Sequence, residues 1–335
     1  MVSMKVAQAD WRLVARLTEA PDAAVPWLDR FYEPVEVAIL RELTEGGLSA
    51  DELRRRLRAG ARLDTSDVAQ CIERAYRRVV IERSTDGEHT PAPFAERFMS
   101  WALFEGWGDL PAKAQEDLRG WRLTWRTDAV RSDVDAILGG RAFDAARDGT
   151  YLLLHEAEEV LDEWSRIYLF PCGCRAIMQG CAKPTLNCLC NYDWHDRGWE
   201  ISLSRAVDIV REANRRGLMQ TGHLPGASRN SICNCCNDCC FPMLVSERLD
   251  AARLYPRTRY LAEIHPAACD GCLRCVARCP FGAISSQAAE QGADDGPGPP
   301  LVDPTLCRGC GLCATGCRRG SIEMLPLAQF GAASV

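Results

Sequence analysis

The stretch Cys269-Asp-Gly-Cys272-Leu-Arg-Cys275-Val-Ala-Arg-Cys279-Pro280 is matched 38 residues later by Cys307-Arg-Gly-Cys310-Gly-Leu-Cys313-Ala-Thr-Gly-Cys317. Each copy is a C-x2-C-x2-C-x3-C run, and the two runs supply eight thiols. Two-residue gaps let a chain coil round three corners of an iron–sulfur cube, with backbone N–H groups turned towards its sulfides. Paired C-x2-C units also bind zinc, but zinc sites use four ligands in two pairs rather than four in one repeated run. The copies agree beyond cysteine. Ile284 and Ile322 stand at one offset from the first Cys of their runs, as expected of two equivalent apolar plugs.

Over residues 260–326 the chain resembles the bacterial two-cluster ferredoxins. That resemblance implies a 2[4Fe-4S] domain in which the last cysteine of each run serves the other cluster. Cys269, Cys272, Cys275 and Cys317 would then hold one cluster, and Cys307, Cys310, Cys313 and Cys279 the other. The second run departs from the family in lacking a proline after its last cysteine. Arg318 and Arg319 stand there instead, and positive charge beside a cluster raises its potential. Residues 292–300, rich in Gly, Pro and Asp, read as a loop between the halves. So short a segment buries too little surface to fold firmly alone, so the clusters are expected to form part of its core.

The whole chain has 335 residues, 19 of them cysteine, and a net charge of −6. The length allows two or three domains, and the charge argues against nucleic-acid binding by bulk electrostatics. The first twenty residues have no apolar core of an export signal, and no run of 18 apolar residues suggests a membrane span. So many thiols without an export signal point to a cytoplasmic protein loaded with metal rather than one stapled by disulfides.

Cysteine placement divides the chain, because only Cys71 precedes residue 172. The expected fold class is α+β multidomain. A winged-helix-like module spans 1–100, and a helical Trp-rich connector spans 101–150. A cysteine-rich α/β cluster-binding domain covers 151–250, and the two-cluster ferredoxin domain covers 251–335. In the first module residues 35–43 form an amphipathic helix. Ser49 caps a second helix, with Glu52 placed to complete a capping box. A third helix runs from Ser66 or Asp67 to about Arg78 and carries Cys71 as a buried thiol. Residues 79–81 read as a strand, Asp86-Gly87 as a hairpin turn and 90–94 as the return strand. Arg54, Arg55, Arg56, Arg58, Arg74, Arg77 and Arg78 lie on the second and third helices. They suit either a DNA-contacting face or a solvated face used to dock a protein; docking is preferred. Trp101, Trp107, Trp121 and Trp125 read as packing.

Ten cysteines lie between these parts. The first group is Cys172, Cys174, Cys181, Cys188 and Cys190; the second is Cys233, Cys235, Cys236, Cys239 and Cys240. A helix capped by Ser204 and ended by Gly217, with Leu218 beyond it, separates them. A helix at about 157–164 and a strand at 167–170 lead into the first group. Both groups are therefore expected on neighbouring loops. Zinc would use four thiols and leave six unexplained. Iron–sulfur clusters use thiolates in fours, so ten could hold one or two further clusters. Neighbouring thiols such as 235–236 and 239–240 diverge, so one member of each pair is free for a second centre. His195 and His223 are the histidines best placed for a functional role. No nucleotide-binding glycine pattern or nucleophile elbow is present.

Pro171-Cys-Gly-Cys-Arg175, the box at 233–240 and the doubled run together resemble a family of cysteine-rich iron–sulfur proteins of anaerobic metabolism with a winged-helix-like front module. Members often carry a third consecutive cysteine where this chain has Phe241. The resemblance implies electron transfer to a redox partner protein or enzyme and names no substrate. The expected function is an electron carrier with no catalytic residues of its own. The alternatives are a redox-sensing DNA-binding regulator and a reductase with an open-site central cluster.

Overall fold

The computed structural model describes residues 6–61, 65–144, 148–286 and 298–330. It is a mixed helix and sheet structure, consistent with the α+β expectation. No described helix is long and apolar enough to cross a membrane. Internal packing separates two compact units: residues 1–124 with 194–197, and residues 125–193 with 198–335.

In the first unit the helices Pro34–Glu42, Ala50–Ala61 and Thr65–Arg77 are joined by three short strands, β1 (Leu48–Ser49), β2 (Ile81–Arg83) and β3 (Glu88–Pro91). The strands form an antiparallel sheet in the order β1-β3-β2. Ser49 accepts the Glu52 N–H at 3.3 Å, so the second helix starts where expected. The return strand ends at Pro91, sooner than expected, because Pro93 and Phe94 open a new helix, Phe94–Phe104. Cys71 is only half-buried. Val68, Ile72 and Ala75 take the core-facing stripe at i, i+4 and i+7, and Cys71 flanks it. Trp101, Trp107 and Trp121 join Phe31, Phe94 and Phe98 in an aromatic core with centroids 4.5–6.3 Å apart, so these tryptophans serve packing.

Five of the seven arginines on the second and third helices pair with carboxylates. Arg54 pairs with Asp51, Arg55 and Arg56 with Glu52, and Arg74 with Glu33. Arg78 is almost enclosed, with Glu33 at 2.6 Å, Glu36 at 2.9 Å and Glu105 at 2.7 Å. The wholly buried Arg97 joins this network, donating to the Phe31 carbonyl and to Glu105. Burial opposes the charge on Glu105, but Arg97 and Arg78 more than offset it and hold the carboxyl below its usual range.

His89 makes this unit sensitive to acid. It is 4 % exposed on β3, and burial, followed by the charge of Arg83, lowers its pKa. Below the ordinary histidine value of about 6.5 the unfolded chain therefore binds a proton that the folded unit resists. This stabilisation is complete above that value and is lost as pH falls beneath it. Protection of the β2–β3 amides, with exchange rates referred to the intrinsic rate at each pH, should fall as pH drops from about 7.5 to about 5.5, and His89→Gln should blunt the change. An equal fall in the variant would refute the assignment.

The second unit is built on a six-stranded sheet of β4 (Thr150–Leu152), β5 (Ile167–Pro171), β6 (Leu186–Cys190), β7 (Trp199–Ile201), β8 (Met219–Gly222) and β9 (Ser231–Cys235), in the order β4-β8-β9-β6-β5-β7. Every pairing is antiparallel. Alternation along the strands gives the sheet two different faces. Leu152, Ile167, Leu169, Leu189 and Ile232 pack with the helices Leu154–Asp162 and Leu203–Arg215 through Ala157, Val160, Leu161, Ala206 and Val210. The opposite face carries the cysteines. The second of these helices is capped by Ser202, whose hydroxyl accepts the Arg205 N–H at 3.3 Å; Ser204 lies inside its first turn. At its other end Gly217 has φ +76°, and the Leu218 N–H reaches the Ala213 carbonyl at 2.9 Å, the expected glycine-terminated cap.

After the helix Phe241–Arg248 the chain forms two small antiparallel sheets. In one, β10 (Tyr260–Ile264) pairs with β13 (Ile322–Pro326); in the other, β11 (Ile284–Ser285) pairs with β12 (Leu301–Val302). The short helices Arg274–Arg278 and Leu312–Gly316 accompany them. Most of the loop read at 292–300 lies outside the described residues. Glu156 fixes this segment to the sheet: it accepts the Leu153 N–H at its own helix start, the Arg259 guanidinium at 2.5 Å and the Tyr260 hydroxyl at 2.9 Å.

Candidate metal centres

The eight thiols of the doubled run line two separate cavities. Cys269, Cys272, Cys275 and Cys317 surround one, with Ile264, Leu273 and Ile322 completing its wall. Cys279, Cys307, Cys310 and Cys313 surround the other, with Ala262, Phe281 and Ile284. In both, the last cysteine of one run joins the first three of the other. Gly309 shows why the run carries a glycine before its second cysteine. Its φ is +69°, and a Cβ there would collide with the Tyr260 carbonyl. The last cysteines of the two runs have equivalent settings: the Ala283 N–H reaches Cys279 Sγ at 3.3 Å, and the Ser321 N–H reaches Cys317 Sγ at 3.4 Å. Four converging thiols, an apolar wall and N–H groups aimed at sulfur suit a cubane cluster.

Residues 268–322 match a family model described as a 4Fe-4S dicluster domain. This segment is a ferredoxin-like iron–sulfur domain. All eight cysteines of the doubled run fall within the match. No curated protein and no solved structure matches the chain.

The two cavities of the ferredoxin-like domain are unequal. Cys307, Cys310 and Cys313 are buried, whereas Cys272 is exposed and Cys269, Cys275 and Cys317 are half-buried. Arg319 lies 3.7 Å from Asp270, which offsets part of its charge beside the outer cavity. Arg278, just before the last cysteine of the first run, donates to the Leu312 carbonyl and to the Asn214 and Arg215 carbonyls at the end of the helix Leu203–Arg215. Thr315 donates to Asn214 Oδ1 at 2.8 Å. These bonds set the buried cavity against the cysteine-bearing sheet.

The ten upstream cysteines do not lie on loops as a single group. Cys188 and Cys190 are on β6, and Cys233 and Cys235 on β9. Leu189 pairs with Ile232, so Cys188 stands opposite Cys233, with the sulfurs 4.0 Å apart. Cys240 reaches Cys235 at 3.2 Å, and Cys174 interacts with both Cys172 and Cys240. Cys190 neighbours Cys188 on the same face of β6, and Cys235 neighbours Cys233 on the same face of β9. Seven thiols thus form one unbroken string, Cys172, Cys174, Cys240, Cys235, Cys233, Cys188 and Cys190, across one face of the sheet. Tyr151, Met219 and Met243 pack against it in a core that also contains Cys310 and Leu312. Tyr151 donates to the Met243 sulfur at 3.1 Å and meets Phe281 edge-on at 6.2 Å. Tyr192 lies beside Cys190, and burial followed by that neighbour pushes its phenol up to about 12.

Cys181, Cys236 and Cys239 form a second group with Asp238. The adjacent pairs therefore split: Cys235 and Cys240 join the string, while Cys236 and Cys239 turn to the other side. Arg175 stands where the two groups meet. It is 2 % exposed and donates to the Pro184 and Asn234 carbonyls, to Asn187 Oδ1 and to Cys236 Sγ.

His195 belongs to the first unit. Its Nδ1 lies 2.8 Å from the Tyr76 carbonyl and its Nε2 3.3 Å from Glu82, an arrangement that anchors a turn. His223 bonds through its backbone to the Asn230 side chain. Sequence reasoning missed Asp238 and Tyr151. Asp238 sits inside a C-x2-C spacing hidden by the flanking cysteines. Tyr151 gave no signal, because its position depends on strand register.

Proposed function

We propose that this chain is an electron-transfer protein carrying two [4Fe-4S] clusters and one further iron–sulfur centre, which relays electrons to or from a partner enzyme. Cys269, Cys272, Cys275 and Cys317 hold the outer cluster, and Cys279, Cys307, Cys310 and Cys313 the inner one. The seven-thiol string holds the third centre. The first unit, with its helices and three-stranded sheet in winged-helix order, docks the partner. The observation that carries this reading is the shared core: Cys310 of the inner cavity packs in one buried cluster with Cys235 and Cys240 of the string. Electrons exchange with solvent-side donors at the outer cluster, where Cys272 is exposed. They pass inward to the inner cluster and then to the sheet face.

The protein purified without oxygen should carry more than about eight irons per chain, because two [4Fe-4S] clusters already need that number. Dithionite should produce magnetically interacting cluster signals by EPR. A content below about eight irons would sink this reading.

A further inference from the structure

We infer that Cys181, Cys236, Cys239 and Asp238 form a site for a single zinc ion, distinct from every iron–sulfur centre. Cys181 Sγ lies 3.8 Å from Cys236 Sγ and 3.7 Å from Cys239 Sγ. An Asp238 carboxylate oxygen lies within 4.8 Å of all three sulfurs. A tetrahedral zinc with bonds of about 2.3 Å to sulfur needs sulfurs about 3.8 Å apart. Thiolates on a cubane stand further apart because the irons lie between them. The cavities of the ferredoxin-like domain show that wider arrangement: among the described residues, the only group of three or more potential ligands with all donor atoms within 4.8 Å is this one.

The surroundings suit a divalent ion held by three thiolates and one carboxylate. Such a centre carries a net charge of −2. The Arg175 guanidinium reaches Cys236 Sγ at 3.7 Å, and the Lys183 charge acts on Asp238. The Gly180 N–H donates to Cys239 Sγ at 3.2 Å. Space at Gly180 is tight, since a Cβ there would lie 3.2 Å from that sulfur and 3.1 Å from the Asp238 carbonyl oxygen. Cys236 and Cys239 have the two-residue spacing common in zinc sites. Cys181 comes from the turn after the helix Gly173–Met178, and the other three donors from the turn after β9. The ion would clamp these two turns. Four donors fill its shell, so its role is structural.

This inference is independent of the cluster count and is tested separately. The full chain, purified without oxygen from zinc-supplemented cells, should carry about one zinc in addition to its iron. Zinc-edge absorption should show three sulfurs at about 2.3 Å and one oxygen at about 2.0 Å. Cys239→Ser should lose the zinc on dialysis, and Asp238→Asn, at an exposed corner, should weaken retention at least tenfold; both should keep the iron and the EPR signals. Cys310→Ala should keep the zinc, which excludes zinc lodged in an emptied cluster site. Should Cys239→Ser fail to fold, Asp238→Asn and Cys181→Ser decide. Absence of zinc, a zinc shell of only nitrogen and oxygen, or loss of about four irons in Cys239→Ser would overturn the proposal.

Discussion

Cys310→Ala is expected to remove about four irons per chain and to cut the unit holding the sheet away from its inner electron source. One cubane needs four thiolates, and loss of one from a buried cavity leaves an iron without a ligand that solvent cannot readily replace. The effect should reach beyond iron content. Cys310 is 9 % exposed and packs with Tyr151, Met219, Cys235 and Cys240, so losing the cluster opens a cavity in a core shared by the domain and the sheet. Cluster binding is also part of the domain's folding free energy. Iron analysis should register the loss. The EPR spectrum after dithionite should lose the interaction between two clusters, and reduction of the third centre should slow at least tenfold. Cys272→Ala provides the comparison. It should cost the same iron but much less thermal stability, because Cys272 is exposed and supports only the outer cavity. Equal destabilisation by the two variants would contradict the inner and outer assignment.

Arg175→Ala should destabilise the second unit by about 3–5 kcal/mol, the usual cost of removing one member of a buried charged network. The guanidinium joins the turn at Pro184 and Asn187 to the backbone of β9 at Asn234 and supplies positive charge to Cys236. With alanine, buried carbonyls lose their donor and the thiols lose their counter-charge. Arg175→Lys should recover little, since one ammonium cannot span acceptors held on different segments. Denaturant unfolding followed at the cluster absorbance would measure the loss. A change below about 1 kcal/mol would show that these bonds are not needed.

The eight-thiol pattern was legible because its ligand spacing is local and doubled. The same holds for the helix ended by Gly217 and for the strand leading to Cys172, whose periodicity and caps lie within a few residues of one another. The upstream cysteines were legible only as metal ligands. Cys188-Leu-Cys190 and Cys233-Asn-Cys235 carry the period-two signature that puts both thiols of each strand on one face, and reading them as loops obscured it. The partners of the arginines were not legible for another reason. Arg78 and Arg74 find carboxylates at Glu33, Glu36 and Glu105, distant along the chain, and charge counts cannot see such partners.

Residue spacing alone thus fixes the chemistry of the C-terminal domain, because a cubane demands thiolates at set intervals along one strand of chain. For the ten upstream cysteines it gives an expectation of metal chemistry, and the structure leaves all ten as free thiols. Their division into seven and three, the recruitment of Asp238, and the packing of Tyr151 between Cys310 and the sheet follow from register and packing. β6 and β9 must pair with Leu189 opposite Ile232 before Cys188 meets Cys233, and the turns at Cys181 and Cys236 must approach before three sulfurs converge. Those distances are set by the burial of the sheet's apolar face against two helices, and no short stretch of the chain encodes them.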